Sequence, residues 1–195
     1  MKIAILAFDH FTDIDVFLPW DVLKRVNEFF PKHDWEVKIV GTAAHHTSFA
    51  GLTIPMMADL SYLEEADAVL VASGPGVQRL IKDDAYLNKL KHLLDPDRQL
   101  IGSMCSGAIL LAEIGLLKNR KATTYATRLK QLANYDVEVV DEPFVQTGNL
   151  ATAAGCLSAV TLAQWIIQTL AGVDIAAKCV ASIQPNGAPL DLPRP

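Results

Sequence analysis

Gln99-Leu-Ile-Gly-Ser-Met-Cys-Ser-Gly-Ala-Ile-Leu-Leu-Ala-Glu-Ile-Gly-Leu-Leu117 begins as a short apolar run, passes through small residues around Cys105, and then takes on helical character. A strand that bends sharply into a helix at a nucleophile has this form, because Gly and Ser leave room for the turn. A thiol at that apex meets the amide ends of the following helix, which favour its thiolate form. The same residues also read as a buried cysteine packed as a small hydrophobe. The flanking segments have to decide between the two.

Upstream, Ala68-Val-Leu-Val-Ala72 is a second continuous apolar run, and it leads directly into Ser73-Gly-Pro-Gly-Val77. A glycine-rich turn at a strand's carboxyl end lets backbone N–H groups approach a ligand. It matches neither the dinucleotide nor the P-loop pattern, so it reads as a structural turn, a donor loop, or both. Lys2 to Phe8 is a third buried run. It opens into Asp9-His-Phe-Thr-Asp-Ile-Asp-Val-Phe-Leu-Pro19, where Pro19 suits a first helical turn and the apolar stripe of Trp20, Leu23 and Val26 follows.

Further along, Trp35 to Val40 alternates as a strand, His45 and His46 fall in a loop, and Leu52 to Met57 suits a short edge strand containing Pro55. Ala85 to Leu94 has helical leucine spacing and stops at Asp95-Pro96. The elbow helix is expected to reach about Leu117. After it, Lys121 to Tyr125 reads as a strand, Thr127 to Tyr135 as a short helix and Val137 to Val140 as a strand. Phe144 to Thr147 and Leu150 to Ala153 flank Gly148-Asn149 as a hairpin. Gly155 to Leu170 and Asp174 to Ile183 read as helices. The tail Gln184 to Pro195, with four prolines, reads as extended. Strands alternating with helices predict an α/β fold with a mostly parallel sheet covered on both faces. Sites in such sheets lie beyond the carboxyl ends of the strands, where the loops at Asp9 to Asp15, Ser73 to Val77 and Met104 to Gly107 converge. That convergence favours the nucleophile reading of Cys105.

The composition bounds the rest. The chain of 195 residues, 51% hydrophobic and 20% charged, supports one globular domain, residues 1–195. A net charge of −5 without a basic run argues against nucleic acid. The three cysteines, Cys105, Cys156 and Cys179, are widely spaced, which suits reduced thiols in a cytoplasmic protein rather than a disulfide framework or a zinc site. Cys156 and Cys179 lie in apolar stretches and are expected to be inert. Met1 to Phe8 meets Asp9 too soon for a secretory signal. Pro143 to Val173 lacks charge, yet its Gln146, Asn149, Gln164 and Gln168 favour a buried hairpin and core helix over a membrane span. The reading calls for no metal and no cofactor.

A nucleophilic cysteine needs a proton partner within hydrogen-bond reach. His10 is the one histidine in a loop at the same sheet edge. Asp15, between Ile14 and Val16, is the other candidate: burial and a neighbouring thiolate would both raise its pKa, and a protonated Asp15 would donate to the sulfur. Asp15 also reads as a helix N-terminal acid that complements the dipole. Glu113 reads mainly as structural.

Ile101 to Thr124 resembles the nucleophile segment of the ThiJ/PfpI superfamily. Asp15 to Leu23 resembles its first acidic loop and helix, Val71 to Gly76 its glycine turn, and Gly148 to Gly155 its late strand and helix start. Asp15 in place of glutamate, and Cys105-Ser-Gly107, are similar to the isocyanide hydratase branch. The resemblance implies a flavodoxin-like three-layer α/β/α sandwich of the class I glutamine amidotransferase-like type. It further implies a homodimer acting on a small molecule, with Cys105 and Asp15 as the catalytic pair. The expected reaction is hydration of a small isocyanide to an N-formamide through a Cys105 thioimidate, with Ser106, Ser73 and Gly74 positioning polar groups and N–H donors. Alternatives are a glyoxalase-like enzyme on α-oxoaldehydes and a non-enzymatic ligand- or oxidant-sensing domain. Ser106 stands where protease-like members carry histidine, and Cys156 where hydratases tend to have an aliphatic residue.

Overall fold

The structure is a computed structural model that describes residues 1–186 and 195. In chain order the strands are β1 (Lys2–Leu6), β2 (Glu36–Gly41), β3 (His45–Thr47), β4 (Thr53–Pro55), β5 (Ala58–Asp59), β6 (Ala68–Val71), β7 (Leu100–Met104), β8 (Lys121–Ala122), β9 (Glu138–Val139), β10 (Phe144–Thr147) and β11 (Leu150–Ala153). The helices are α1 (Asp13–Phe29), α2 (Tyr62–Glu65), α3 (Val77–Leu80), α4 (Asp84–Leu93), α5 (Gly107–Glu113), α6 (Leu129–Leu132), α7 (Ala159–Ala171) and α8 (Val173–Ala181).

Seven strands form the central sheet in the order β10-β11-β7-β6-β1-β2-β5. Every pairing is parallel except the β10–β11 hairpin at one edge. The inner strands β6, β7 and β11 are buried along their whole length, as continuous apolar runs covered on both faces must be. On one side α1, α7 and α8 pack together over β1, β2, β7 and β11, while α2 meets β1 and α5 meets β7. This is the expected flavodoxin-like three-layer arrangement.

Strand order reverses between β1 and β6, because the chain first runs outward to β2 and β5 and then returns to the other side of β1. The register places Leu6 opposite Val71 and Val71 opposite Ser103, so three neighbouring strands end at nearly one level. Their exits, Ala7–Thr12, Ala72–Gly76 and Cys105–Ser106, therefore meet at the switch point where ligands bind in open α/β sheets.

Several boundaries differ from expectation. Helix α1 begins at Asp13, and Pro19 lies inside it rather than in its first turn. The ring deprives only the Asp15 carbonyl of its helical partner, and the buried stripe Val16, Val22, Leu23 and Val26 carries the helix through. His45 and His46 belong to β3, which pairs with β4 in a small antiparallel ribbon. The elbow helix α5 stops at Glu113, and the chain turns away at Gly115, whose φ is 86°. The strand expected from Lys121 to Tyr125 shrinks to β8, which pairs with β9 outside the main sheet. The helix expected from Gly155 opens instead with a 3-10 turn, Cys156–Ser158. The end of the chain read as extended lies mostly outside the described residues. No helix among the described residues is long and apolar enough to cross a membrane.

Candidate active site

Cys105 follows the last residue of β7 and has φ 50°, a left-handed conformation that costs a non-glycine residue about 1–2 kcal/mol. Neighbouring groups hold it there. Its N–H donates to the Ala153 carbonyl at 2.8 Å, and its carbonyl accepts from the Thr124 hydroxyl at 2.7 Å. The bend also depends on Gly107, since a Cβ there would sit 2.8 Å from the carbonyl oxygens of both Val71 and Ala72. This is the elbow read from the sequence, with the thiol half-buried at its apex.

The turn after β6 closes over it. Gly74 has φ 142°, and a Cβ on it would lie 2.1 Å from the His10 carbonyl oxygen. Its N–H donates to Ser106 Oγ at 3.2 Å, so this donor is held by a side chain rather than aimed at a substrate. The Ser106 N–H is turned toward the Cys105 sulfur.

Asp15 is 0% exposed, on the first turn of α1. It does not hydrogen-bond the sulfur. The Ser73 hydroxyl donates to Asp15 Oδ2 and also faces Cys105, so serine stands between acid and thiol. Oδ1 is buried without a well-aligned donor, and the Cys156 thiol is the group that approaches the carboxylate on another side. Burial raises the Asp15 pKa, and the bonds from Ser73 and Cys156 oppose that rise without cancelling it. Burial likewise raises the Cys105 thiol. The Ser73 contact pulls it down, Asp15 pushes it up, and the Ser106 N–H and Arg128 pull it down. The expected helix-end stabilisation of the thiolate is outweighed, because α5 is short and the sulfur is largely desolvated.

Two expectations change. Cys156 does not lie inside a regular α-helix: it sits in the 3-10 turn beside Asp15, where burial first and the acid's charge second push its thiol up to about 12 and so keep it protonated. Cys179 is fully buried in α8. His10 is exposed with φ 61°, and its carbonyl rather than its ring meets the glycine turn. It does not line the cleft above Cys105. That cleft, about 260 Å³, is walled by Thr12, Ser73, Gly74 and Pro75 on one side and by Tyr125, Thr127 and Arg128 on the other. The second wall was not read from the sequence, since its segment was divided between a strand and a helix. Glu113 accepts a hydrogen bond from the Tyr135 hydroxyl at 2.6 Å, in keeping with its structural reading. Among the described residues no group of three or more His, Cys, Asp or Glu could hold a metal ion.

A doubly wound sheet that ends at a cysteine elbow, with a buried acid behind a serine, defines a class of α/β proteins. Within that class the chain belongs to the DJ-1/PfpI family, whose model matches residues 1–169. It is similar to an isonitrile hydratase of Pseudomonas putida, 26% identical over 90% of this chain and 75% of that protein. It is comparably similar to the deglycase PfpI of Pyrococcus furiosus, at 24% over 76% of this chain and 87% of that one. Among solved structures, DJ-1 of Schizosaccharomyces pombe superimposes with a TM-score of 0.80 at 17% identity, covering 95% of this chain and all of that one. A ThiJ/PfpI family protein of Pseudomonas syringae gives 0.82 at 23%, covering 97% and 77%.

Proposed function

We propose that the protein is a cysteine-dependent hydratase that converts a small isocyanide to an N-formamide. The observation that supports this most is the chain of contacts Asp15–Ser73–Cys105: a buried carboxyl with a raised pKa joined through one hydroxyl to the thiol at the elbow. A hydroxyl both donates and accepts, so Ser73 can pass the thiol proton to Asp15 without moving either residue. The Cys105 thiolate then attacks the terminal isocyanide carbon, forming the C–S bond while that carbon takes a proton from the Ser73 hydroxyl, which Asp15 reprotonates from behind. The product is a thioimidate. Water adds to its carbon, the C–S bond breaks, the N-formamide leaves and the thiol is restored. The proton count closes over the cycle.

Cys156 holds its own proton beside Asp15, and its hydrogen bond moderates the rise in the carboxyl's pKa without cancelling it. Ser106 fixes the Gly74 turn, and with it Ser73. A second copy of the chain is the proposed partner, as the family resemblance implies. The test is incubation with an aryl isocyanide, monitored for formamide. Turnover by the wild type and none by Cys105→Ala is the expected result; no turnover by either discards the reading. Because deglycases match at similar identity, lactate formation from methylglyoxal is the alternative result to examine.

A further inference from the structure

Asp15 lies behind Ser73 and does not line the cleft, so among the described lining residues Arg128 carries the one fixed charge. Arg128 is the last residue of a 3-10 turn, Ala126–Arg128, and is half-buried. Its guanidinium donates to the Gln131 side-chain oxygen at 3.3 Å, and Gln131 exchanges amide bonds with Gln78 at 3.2 and 3.3 Å. Those partners orient the charge without neutralising it. The ion pairs among the described residues leave Arg128 without a carboxylate. A half-desolvated guanidinium held in place by neutral amides is suited to receiving an anion, and its planar fork matches a carboxylate. The cleft volume fits a small molecule rather than a peptide or a nucleotide.

We propose that Arg128 is a specificity-determining residue, and that the cleft takes small electrophiles carrying a carboxylate a few bonds from the carbon that Cys105 attacks. The inference rests on Cys105 being the nucleophile of the proposed function and narrows its substrate to anionic molecules. Thiol activation alone does not explain this placement. The pull of Arg128 on Cys105 is weaker than that of burial, Ser73 or Asp15, and a thiol-activating cation has no need to line the opening.

The test compares alkylation of Cys105 by iodoacetate and by iodoacetamide, which are nearly equal in size and differ in charge. In both, the sulfur bonds to the methylene carbon as iodide leaves. Rates are read by mass on the Cys105 peptide in the full chain, with Cys105→Ala giving the background from the other thiols. In Arg128→Met the ratio of iodoacetate to iodoacetamide rates is expected to fall about tenfold, the worth of one charge-assisted hydrogen bond. Arg128→Lys keeps the charge but loses the fork, and its ratio should fall between. If Arg128 acts only on the thiol, both reagents slow together and the ratio is unchanged, which overturns the proposal. An unchanged ratio in Arg128→Lys together with Arg128→Met does the same, even where one variant is less stable. Alkylation needs no turnover, so a failure to form formamide leaves this result standing.

Discussion

Asp9 and Asp15 stand in one segment after β1 and are pushed in opposite directions. Asp9 is largely exposed and accepts from the Thr47 N–H at 3.1 Å, and that bond, ahead of a smaller effect from His46, lowers its pKa. His46 accepts the Thr42 N–H on Nε2 at 3.2 Å, which puts its ring proton on Nδ1, facing Asp9 at 3.1 Å. Asp15, by contrast, has a hydroxyl and a thiol for partners, no backbone N–H, and no exposure. The difference is one of donors against burial. A carboxylate supplied with N–H groups at the surface stays ionised and anchors a ribbon. A carboxyl buried on a helix's first turn, with only a hydroxyl and a thiol beside it, is ready to hold a proton.

The largest effect should come from a change that breaks both regions at once. Gly74→Ala would drive a Cβ against the His10 carbonyl and within 2.8 Å of Phe11 Cα, in the loop that links the two acids, at a φ few side chains adopt. A loss of about 3 kcal/mol or more is expected, a fall of roughly 10 °C in the melting temperature of a domain this size. A melting temperature within 2 °C or so of wild type would show that the loop gives way easily.

Asp15→Asn sharpens the comparison. The raised pKa of Asp15 means that its stabilising contribution is complete below the ordinary aspartate pKa and is lost as pH rises through the higher folded value. The asparagine variant should therefore be more stable than wild type at pH 8, by on the order of 1 kcal/mol, with the gain vanishing near pH 3. Urea unfolding at the two pH values measures it. Asp9→Asn should show the opposite slope at a smaller size. The folded pKa of Asp9 is lowered, so its contribution is present above the ordinary value and is lost as pH falls through the folded one. The cost near pH 7 is expected to stay under about 1 kcal/mol, because solvent screens the exposed carboxylate. Parallel slopes for the two variants would remove the distinction between anchor and proton holder.

The strands that build the site were legible because each is a continuous apolar run. β1, β6, β7 and the β10–β11 hairpin lie where the sequence places them, and the small residues at Ser103 to Gly107 already described a sharp bend. The start of α1 was misplaced because Pro19 is a strong local signal, whereas the burial of Val16 that overrides it is tertiary. The contacts around the sulfur were harder still. Ser73 reaches Asp15 across 58 residues of chain, and the 3-10 turn brings Cys156 to the same acid from the far side of the sheet order. No local pattern encodes either meeting.

By itself the sequence determined the layered α/β arrangement, the cysteine at an elbow, and the family whose segments it repeats, since apolar periodicity and glycine placement are local properties that act residue by residue. Only the tertiary structure decided how the thiol is served. It interposed Ser73 between Asp15 and Cys105, brought Cys156 to the acid, moved His10 out of the cleft and set Arg128 at its mouth. Those outcomes depend on which strand ends share a level and which side chains lose their water there, and both are fixed only when the sheet is assembled.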